Sequence, residues 1–263
     1  MQKYDSIGSR KSGLRPLPLL VAASLLALGS LGGLWADGLK IETIDVAPFG
    51  FAGPDGNPAG ISYEIANLIA QESGLPYTNT IIPYAKTVSD LETGAASFVI
   101  RFVSPEIAKN SIQVASIVSM PTIILGLSGS SIASLADLHG KTVGVLRGGS
   151  FDDRFASDAL IRKYEVNNYN TMMKMLTAKH IDAALGSSIG LYYEAKNLNI
   201  SKAQLGDPFM LNRQSIILNF SRKAADSGAI ATLKSVAEKL KSQDKFIAIV
   251  NKYMGDFDWS LAK

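Results

Sequence analysis

The chain has 263 residues, 47% of them hydrophobic, with 26 Lys/Arg against 23 Asp/Glu, two histidines and no cysteine. That length and apolar content are enough for one large domain or two small ones. The missing cysteine excludes disulfides, thiolate catalysis, Cys-based metal sites and a lipid-modified N-terminal cysteine.

The first 36 residues stand apart. Lys3, Arg10, Lys11 and Arg15 make a basic start, and residues 16–35 are apolar without a charge. Small residues recur at Ala27, Gly29 and Ala36. This is the layout of a secretory signal, with residues 1–36 removed from the mature protein. An uncleaved membrane anchor is the alternative, since the apolar run is about long enough to span a bilayer. Gly29, Gly32 and Gly33 weaken a helix there and favour processing. The segment holds four Lys/Arg and one acid, so taking it from the totals leaves 22 residues of each sign. The remainder is formally neutral and gives no reason to expect nucleic acid as a partner. A cleaved chain without an anchor is expected in the periplasm.

From residue 39 onward strand and helix signals alternate. Residues 40–46 carry β-branched side chains in alternation. Ile61, Ile65, Leu68 and Ile69 mark one face of a helix that Gly74 closes. A strand is expected over Tyr77–Ile82, a helix over residues 84–93 closed by Gly94, and a strand over residues 97–102. This βαβαβ order predicts a largely parallel sheet. An extended run near residues 120–127 leads into a Ser/Gly stretch, where a second series starts. Asp137-Leu-His-Gly-Lys-Thr-Val-Gly-Val145 reads as a short helix, a turn and a strand. Gly148-Gly149-Ser150 reads as the opening of a helix with Ser150 as N-cap and Asp153 at N3. A Met-rich helix is expected over residues 171–179, a strand over 181–185, a helix over 189–196 and a strand over 215–220. Two helices close the chain, over residues 224–241 and Lys245–Met254. Met172, Met173 and Met175 read as core filling. His139 and His180 fall at the C-terminal ends of helix patterns, where a cation favours the dipole. With those histidines and no cysteine, no catalytic Ser-His or Cys-His set and no metal cluster can be assembled. No catalytic residue, metal or cofactor is expected.

Several stretches, in this order, resemble the family 3 extracellular solute-binding proteins: Pro48-Phe49, Gly60-Ile-Ser-Tyr-Glu64, Pro83-Tyr-Ala-Lys86, Leu91-Glu-Thr-Gly94, Ser104-Pro-Glu106, the 137–145 stretch, Ile181-Asp-Ala-Ala184 and Lys252-Tyr253. The resemblance covers nearly all of residues 39–255. It implies an α/β periplasmic binding protein of type II with two lobes, each a mainly parallel sheet flanked by helices. Lobe 1 would be residues 37–122 plus 219–263 and lobe 2 residues 125–215. Hinge strands would cross near residues 120–125 and 215–220, and a small-molecule ligand would be held between the lobes. The implied partner is an ABC permease, and the usual state a monomer.

The resemblance also implies where a ligand would touch. Tyr84 matches the position of an aromatic ring stacked on the ligand, and Phe49 and Phe51 lie at the strand end facing the cleft. Leu146-Arg147-Gly148-Gly149-Ser150 matches the lobe 2 loop, whose backbone N–H groups suit an anion. Phe102, Ser104 and Ser187 occupy neighbouring family positions. Two departures matter. Ile107 stands where the family's carboxylate-binding arginine follows Ser-Pro-Glu, and Ser187 stands where an acid binds the ligand ammonium. Arg101 and Arg147 are the candidates to compensate, because a strand rarely buries an arginine without a partner. The expected ligand is therefore a small polar solute bearing a carboxylate, held by Arg101 and the 148–150 loop under Tyr84. A cyclohexadienyl-dehydratase-like enzyme on the same fold, with Glu106 as its nearest acid, and a sensory partner of a membrane receptor are the alternatives.

Overall fold

The computed structural model describes residues 38–149 and 152–261. The expected signal, residues 1–36, and the candidate ligand residue Ser150 lie outside the described residues. The elements run β1 Leu39–Ile44, β2 Phe51–Ala52, β3 Pro58–Ala59, α1 Ile61–Ser73, β4 Tyr77–Ile82, α2 Lys86–Thr93, β5 Phe98–Arg101, α3 Pro105–Asn110 and β6 Ser111–Leu125. They continue as β7 Thr142–Leu146, α4 Asp153–Ser157, β8 Arg162–Val166, α5 Tyr169–Thr177, β9 Ala183–Ser187, α6 Ser188–Asn197, β10 Phe209–Ser221, α7 Ser227–Ser242 and α8 Lys245–Met254.

One eight-stranded sheet runs in the order β4-β1-β5-β10-β6-β9-β7-β8. At one end β4, β1 and β5 are parallel, and at the other β9, β7 and β8 are parallel. The two triplets are joined by β10 and β6, long antiparallel strands that pair with each other from Phe209↔Ile124 to Ser221↔Ser111. β10 also pairs with β5 from Ile217 onward, and β6 pairs with β9 from Thr122 onward. These two strands are therefore common to both halves. This is the expected α/β architecture, with a parallel sheet in each half and helices on its faces.

Local chemistry explains the boundaries. α1 buries Ile61, Ile65, Ala66, Ile69 and Ala70, a stripe at helical spacing, and ends at Gly74 in the left-handed conformation. Gly94 closes α2 in the same way. Met172 and Met173 are fully buried core residues. His139 follows a 3-10 turn over Leu135–Leu138, and its Nε2 lies 3.0 Å from Asp158 Oδ2.

Several elements differ from the sequence reading, among them α3, which was not expected, and β10, which starts at Phe209 rather than near residue 215. β6 begins at Ser111, well before residue 120; Ala115 and Ser116 between Val114 and Ile117 break the alternation that would have marked the strand. β8 has no apolar signal: Arg162, Lys163, Tyr164 and Glu165 are exposed and only Val166 is buried. It is an edge strand, and charged side chains are what protect an edge. Lastly, α4 starts after Asp152, whose side chain accepts from Arg154 N and Phe155 N, so Asp152 and not Ser150 is its cap.

Candidate functional site

The C-terminal ends of β4 and β5 and the start of α2 bring Tyr84, Thr87 and Arg101 together. Arg101 is 1% exposed. Its Nη1 donates to Thr87 Oγ1 at 2.6 Å and to the Tyr84 carbonyl at 3.0 Å, and its Nε donates to the Phe102 carbonyl at 3.4 Å. The guanidinium carbon lies 3.7 Å from the centre of the Tyr84 ring, a stacked cation–π pair. Burial pushes Arg101 below the usual guanidinium value, while the Tyr84 phenol and then Glu106 push it back. Among the described residues no carboxylate is within ion-pair distance of Arg101. The buried cation is held by neutral groups alone. Tyr84 and Arg101, both expected to touch ligand, are thus partners of each other.

Below them, between the two halves of the sheet, lies a cavity of about 570 Å³. Val103 lines it from the segment after β5, Asp152, Asp153 and Arg154 from the start of α4, and Asn212, Gln214 and Ser215 from β10. Its size lies within the usual range of small-molecule sites. The Asp152 carboxylate is 7% exposed and pairs with Arg154 Nη2 at 2.9 Å. The Arg154 hydrogen bond, outweighing burial, holds Asp152 below the usual carboxylate range. Asn212 Nδ2 reaches Asp152 Oδ2 at 3.4 Å, and Arg154 Nη2 reaches the Leu211 carbonyl at 3.3 Å. These contacts fix the α4 loop against β10.

The other candidate residues have the following surroundings. Phe49 is 3% exposed, in the core under α1. Its carbonyl accepts from Ser62 N and Tyr63 N. Phe51 instead packs against Tyr193 at 6.0 Å and Tyr253 at 6.2 Å. Leu146 is buried. Arg147 turns to the surface, where Nε meets Glu165 Oε2 at 3.2 Å. Gly148 makes a turn at φ 71, with Gly149 N donating to the Leu146 carbonyl. Phe102 is half-buried. Ser104 caps α3 by accepting from Ile107 N and donates to Glu106 Oε2 at 2.8 Å. Ser187 is fully buried, caps α6 through Gly190 N, and meets the Tyr169 hydroxyl at 3.3 Å. The Tyr169 phenol is pushed up to about 12, chiefly by burial.

Among the described residues, none of the candidates named from sequence lines this cavity. Val103 sits between two named positions, and Asp152 lies just past the Gly-Gly-Ser turn. The usable signals were an Asp ahead of buried Phe155, which marks a cap, and the polar run Asn212-Arg213-Gln214-Ser215 ahead of the apolar end of β10.

A carboxyl pair adjoins this region. Glu42 of β1 lies against Asp90 of α2, which also accepts from Lys86 Nζ. Burial, then the Asp90 carboxyl, raises Glu42 to about 8, with Lys86 opposing. Burial also pushes Asp90 up, but hydrogen bonds from Lys86 and Glu42 outweigh it and hold Asp90 low. Of the two carboxyls, Glu42 is therefore the one that holds a proton. Between the ordinary 4.5 and about 8, the folded chain keeps a proton that the unfolded chain has released. Stability contributed by this group is present below 4.5 and is lost as pH rises through 8. Asp90 acts in the opposite sense, and its contribution is lost only at acid pH, below the ordinary carboxylate value. Glu42→Gln is expected to flatten the decline. The melting temperature of the variant minus that of the wild type should grow from pH 5 to pH 8, and a constant difference would contradict a protonated Glu42.

Comparison with known proteins places the chain. The sequence profile of the bacterial extracellular solute-binding proteins, family 3, matches residues 40–256. The chain belongs to that family. A search of curated proteins gives no match. Among solved structures, this solute-binding protein is similar to a histidine kinase sensor domain with similarity to periplasmic binding proteins, at 18% identity and a TM-score of 0.72, over 83% of this chain and 96% of that one. It is also similar to an ABC uptake transporter substrate-binding protein from Streptococcus pneumoniae with bound histidine, at 17% identity and 0.70, over 85% and 94%. A mutant arginine-binding protein from T. maritima gives 19% and 0.69, over 83% and 95%. At such identities the likeness establishes the fold, a type II periplasmic binding protein, and a ligand-binding role rests on the family. Among the described residues no helix is long and apolar enough to cross a membrane, and no group of three His, Cys, Asp or Glu could hold a metal ion.

Proposed function

We propose that this protein captures a small, carboxylate-bearing solute between two lobes in the periplasm and delivers it to an ABC permease. The lobes are residues 37–122 with 219–263 and residues 125–215, and β6 and β10 are the hinge. The observation that carries the ligand class is Arg101. A guanidinium removed from water without a counter-charge is costly, and an incoming carboxylate supplies that charge. The Tyr84 ring, now stacked on Arg101, would turn onto the ligand, while Phe102, Ser104 and the 146–150 loop would flank it. Arg147 joins only if it leaves Glu165, and Ser187 acts by fixing the start of α6. The cavity beside Asp152 and β10 takes the solute's body.

A dehydratase reading is less well supported. Such chemistry needs a carboxyl that can give up a proton. Glu106 is fully exposed, and hydrogen bonds from its own backbone and Ser104 hold it below the usual range. It is therefore ionised at neutral pH. A sensory role is favoured by one observation, the similarity to a protein described as a histidine kinase sensor domain. Uptake separates the two. Deleting the gene is expected to abolish cellular accumulation of the radiolabelled solute. Unchanged accumulation, with a lost transcriptional response to the solute, would move the assignment to sensing.

A further inference from the structure

Residues 255–261 follow α8 and do not return to the sheet. Gly255, at φ 58, turns the chain against Lys196. Lys202 Nζ donates to the Asp256 carbonyl, and the Phe257 ring stacks on Tyr192 of α6 at 5.1 Å and 18°. Trp259 is 7% exposed. Its Nε1 donates to Asn251 Oδ1 of α8 at 2.9 Å, and its carbonyl accepts from the buried Ser188 Oγ of α6 at 2.6 Å. Arg213 Nη2 of β10 donates to the Ser260 carbonyl at 2.6 Å. The segment thus bridges α8, which packs on α1 and α7, to α6 and β10.

Strand geometry says which side it occupies. Successive side chains on a strand point to opposite faces. Asn212, Gln214 and Ser215 line the 570 Å³ cavity, while Arg213 stays out of it and reaches residues 260 and 261. The segment therefore lies behind the crossing strands, on the face away from the cavity. A rotation about β6 and β10 that widens the cavity side must narrow the rear. Phe257 and Trp259 fill that rear. A second cavity, about 250 Å³, lies under the segment between Tyr192, Leu205, Pro208, Phe257 and Leu261, which leaves it room to shift without unfolding.

We infer that residues 255–261 act as a wedge behind the hinge, holding the cleft toward its narrow state and so setting how readily it opens. The inference rests on the hinged reading above. With no native cysteine, Lys109→Cys and Ala156→Cys accept spin labels on either side of the cleft, and electron–electron double resonance reads their separation in the protein alone. Trp259→Ala, and separately Arg213→Gln, are expected to lengthen it and to raise a longer-distance population above the ~10% that a minor state ordinarily holds. Arg213→Gln covers the case in which Trp259→Ala misfolds. A distribution identical to wild type in a folded Arg213→Gln protein would overturn the wedge. Ser119→Gly with Ser215→Gly, a facing pair on β6 and β10, softens the crossing itself. If that pair lengthens the distance and the tail variants do not, the wedge falls and the hinge stands. If nothing lengthens it, both fall.

Discussion

Gly60→Ala is expected to lower stability by about 3 kcal/mol or more, the combined cost of a forbidden backbone region and a hard contact. Gly60 sits at φ 130 and ψ 160, immediately before α1, in territory that only glycine enters freely. A Cβ there would lie 2.5 Å from the Phe49 carbonyl oxygen. That oxygen accepts from Ser62 N at 2.9 Å and Tyr63 N at 3.2 Å, satisfying two first-turn donors of α1. Gly60 N also donates to the Tyr253 hydroxyl, which donates in turn to Glu64. Moving the backbone to relieve the clash would break the link between α1 and α8. For a body of this size each kcal/mol lowers the melting temperature by roughly 2–4 °C. A drop of roughly 6–12 °C is therefore expected by calorimetry. A variant melting with the wild type would mean that this turn relaxes freely.

Arg101→Lys is expected to weaken binding of the carboxylate solute by at least about 2 kcal/mol, roughly 30-fold. Three features set that size. The side chain is buried, so whatever charge it meets there is poorly screened. Its planar fork donates to Tyr84 and Thr87 from a fixed position. It also stacks on a phenol ring, which an ammonium does not reproduce. Stability should respond less, because a buried lysine, unlike a guanidinium, can shed its proton and so relieve the desolvation cost. The two effects separate in a titration: a large loss of affinity with a small change in melting temperature supports a ligand role. A large loss of stability with unchanged affinity would make Arg101 a structural strut under Tyr84.

Much of the fold was legible because its signals are local. The isoleucine stripe of α1, the glycines that close α1 and α2, and the exact span of β4 follow from spacing and backbone preference. β8 was not legible, since an exposed edge strand has no apolar face to betray it. The candidate site was less readable for a related reason. Which way Arg147 or Arg101 points depends on partners far away in sequence: Glu165 for the one, Tyr84 and Thr87 for the other. Spacing within a segment carries no such information. Likewise Ser187, identified by its position near a missing acid, is consumed by capping α6 and meeting Tyr169.

The wedge and the ligand assignment are linked energetically. A ligand that favours the narrow cleft gains affinity to the extent that the narrow state is already populated. Tail variants should therefore weaken binding without touching any group near Arg101.

A thermal-shift panel of small carboxylates, α-amino acids, polyamines and sugars, run on wild type and on Arg101→Ala, tests the central claim most directly. A ligand at about 100 times its Kd stabilises by about 2.7 kcal/mol, enough to raise the melting temperature by several degrees. A carboxylate that shifts the wild type and leaves Arg101→Ala unmoved is the predicted result. Equal shifts in both proteins, or shifts from sugars or polyamines alone, would contradict it.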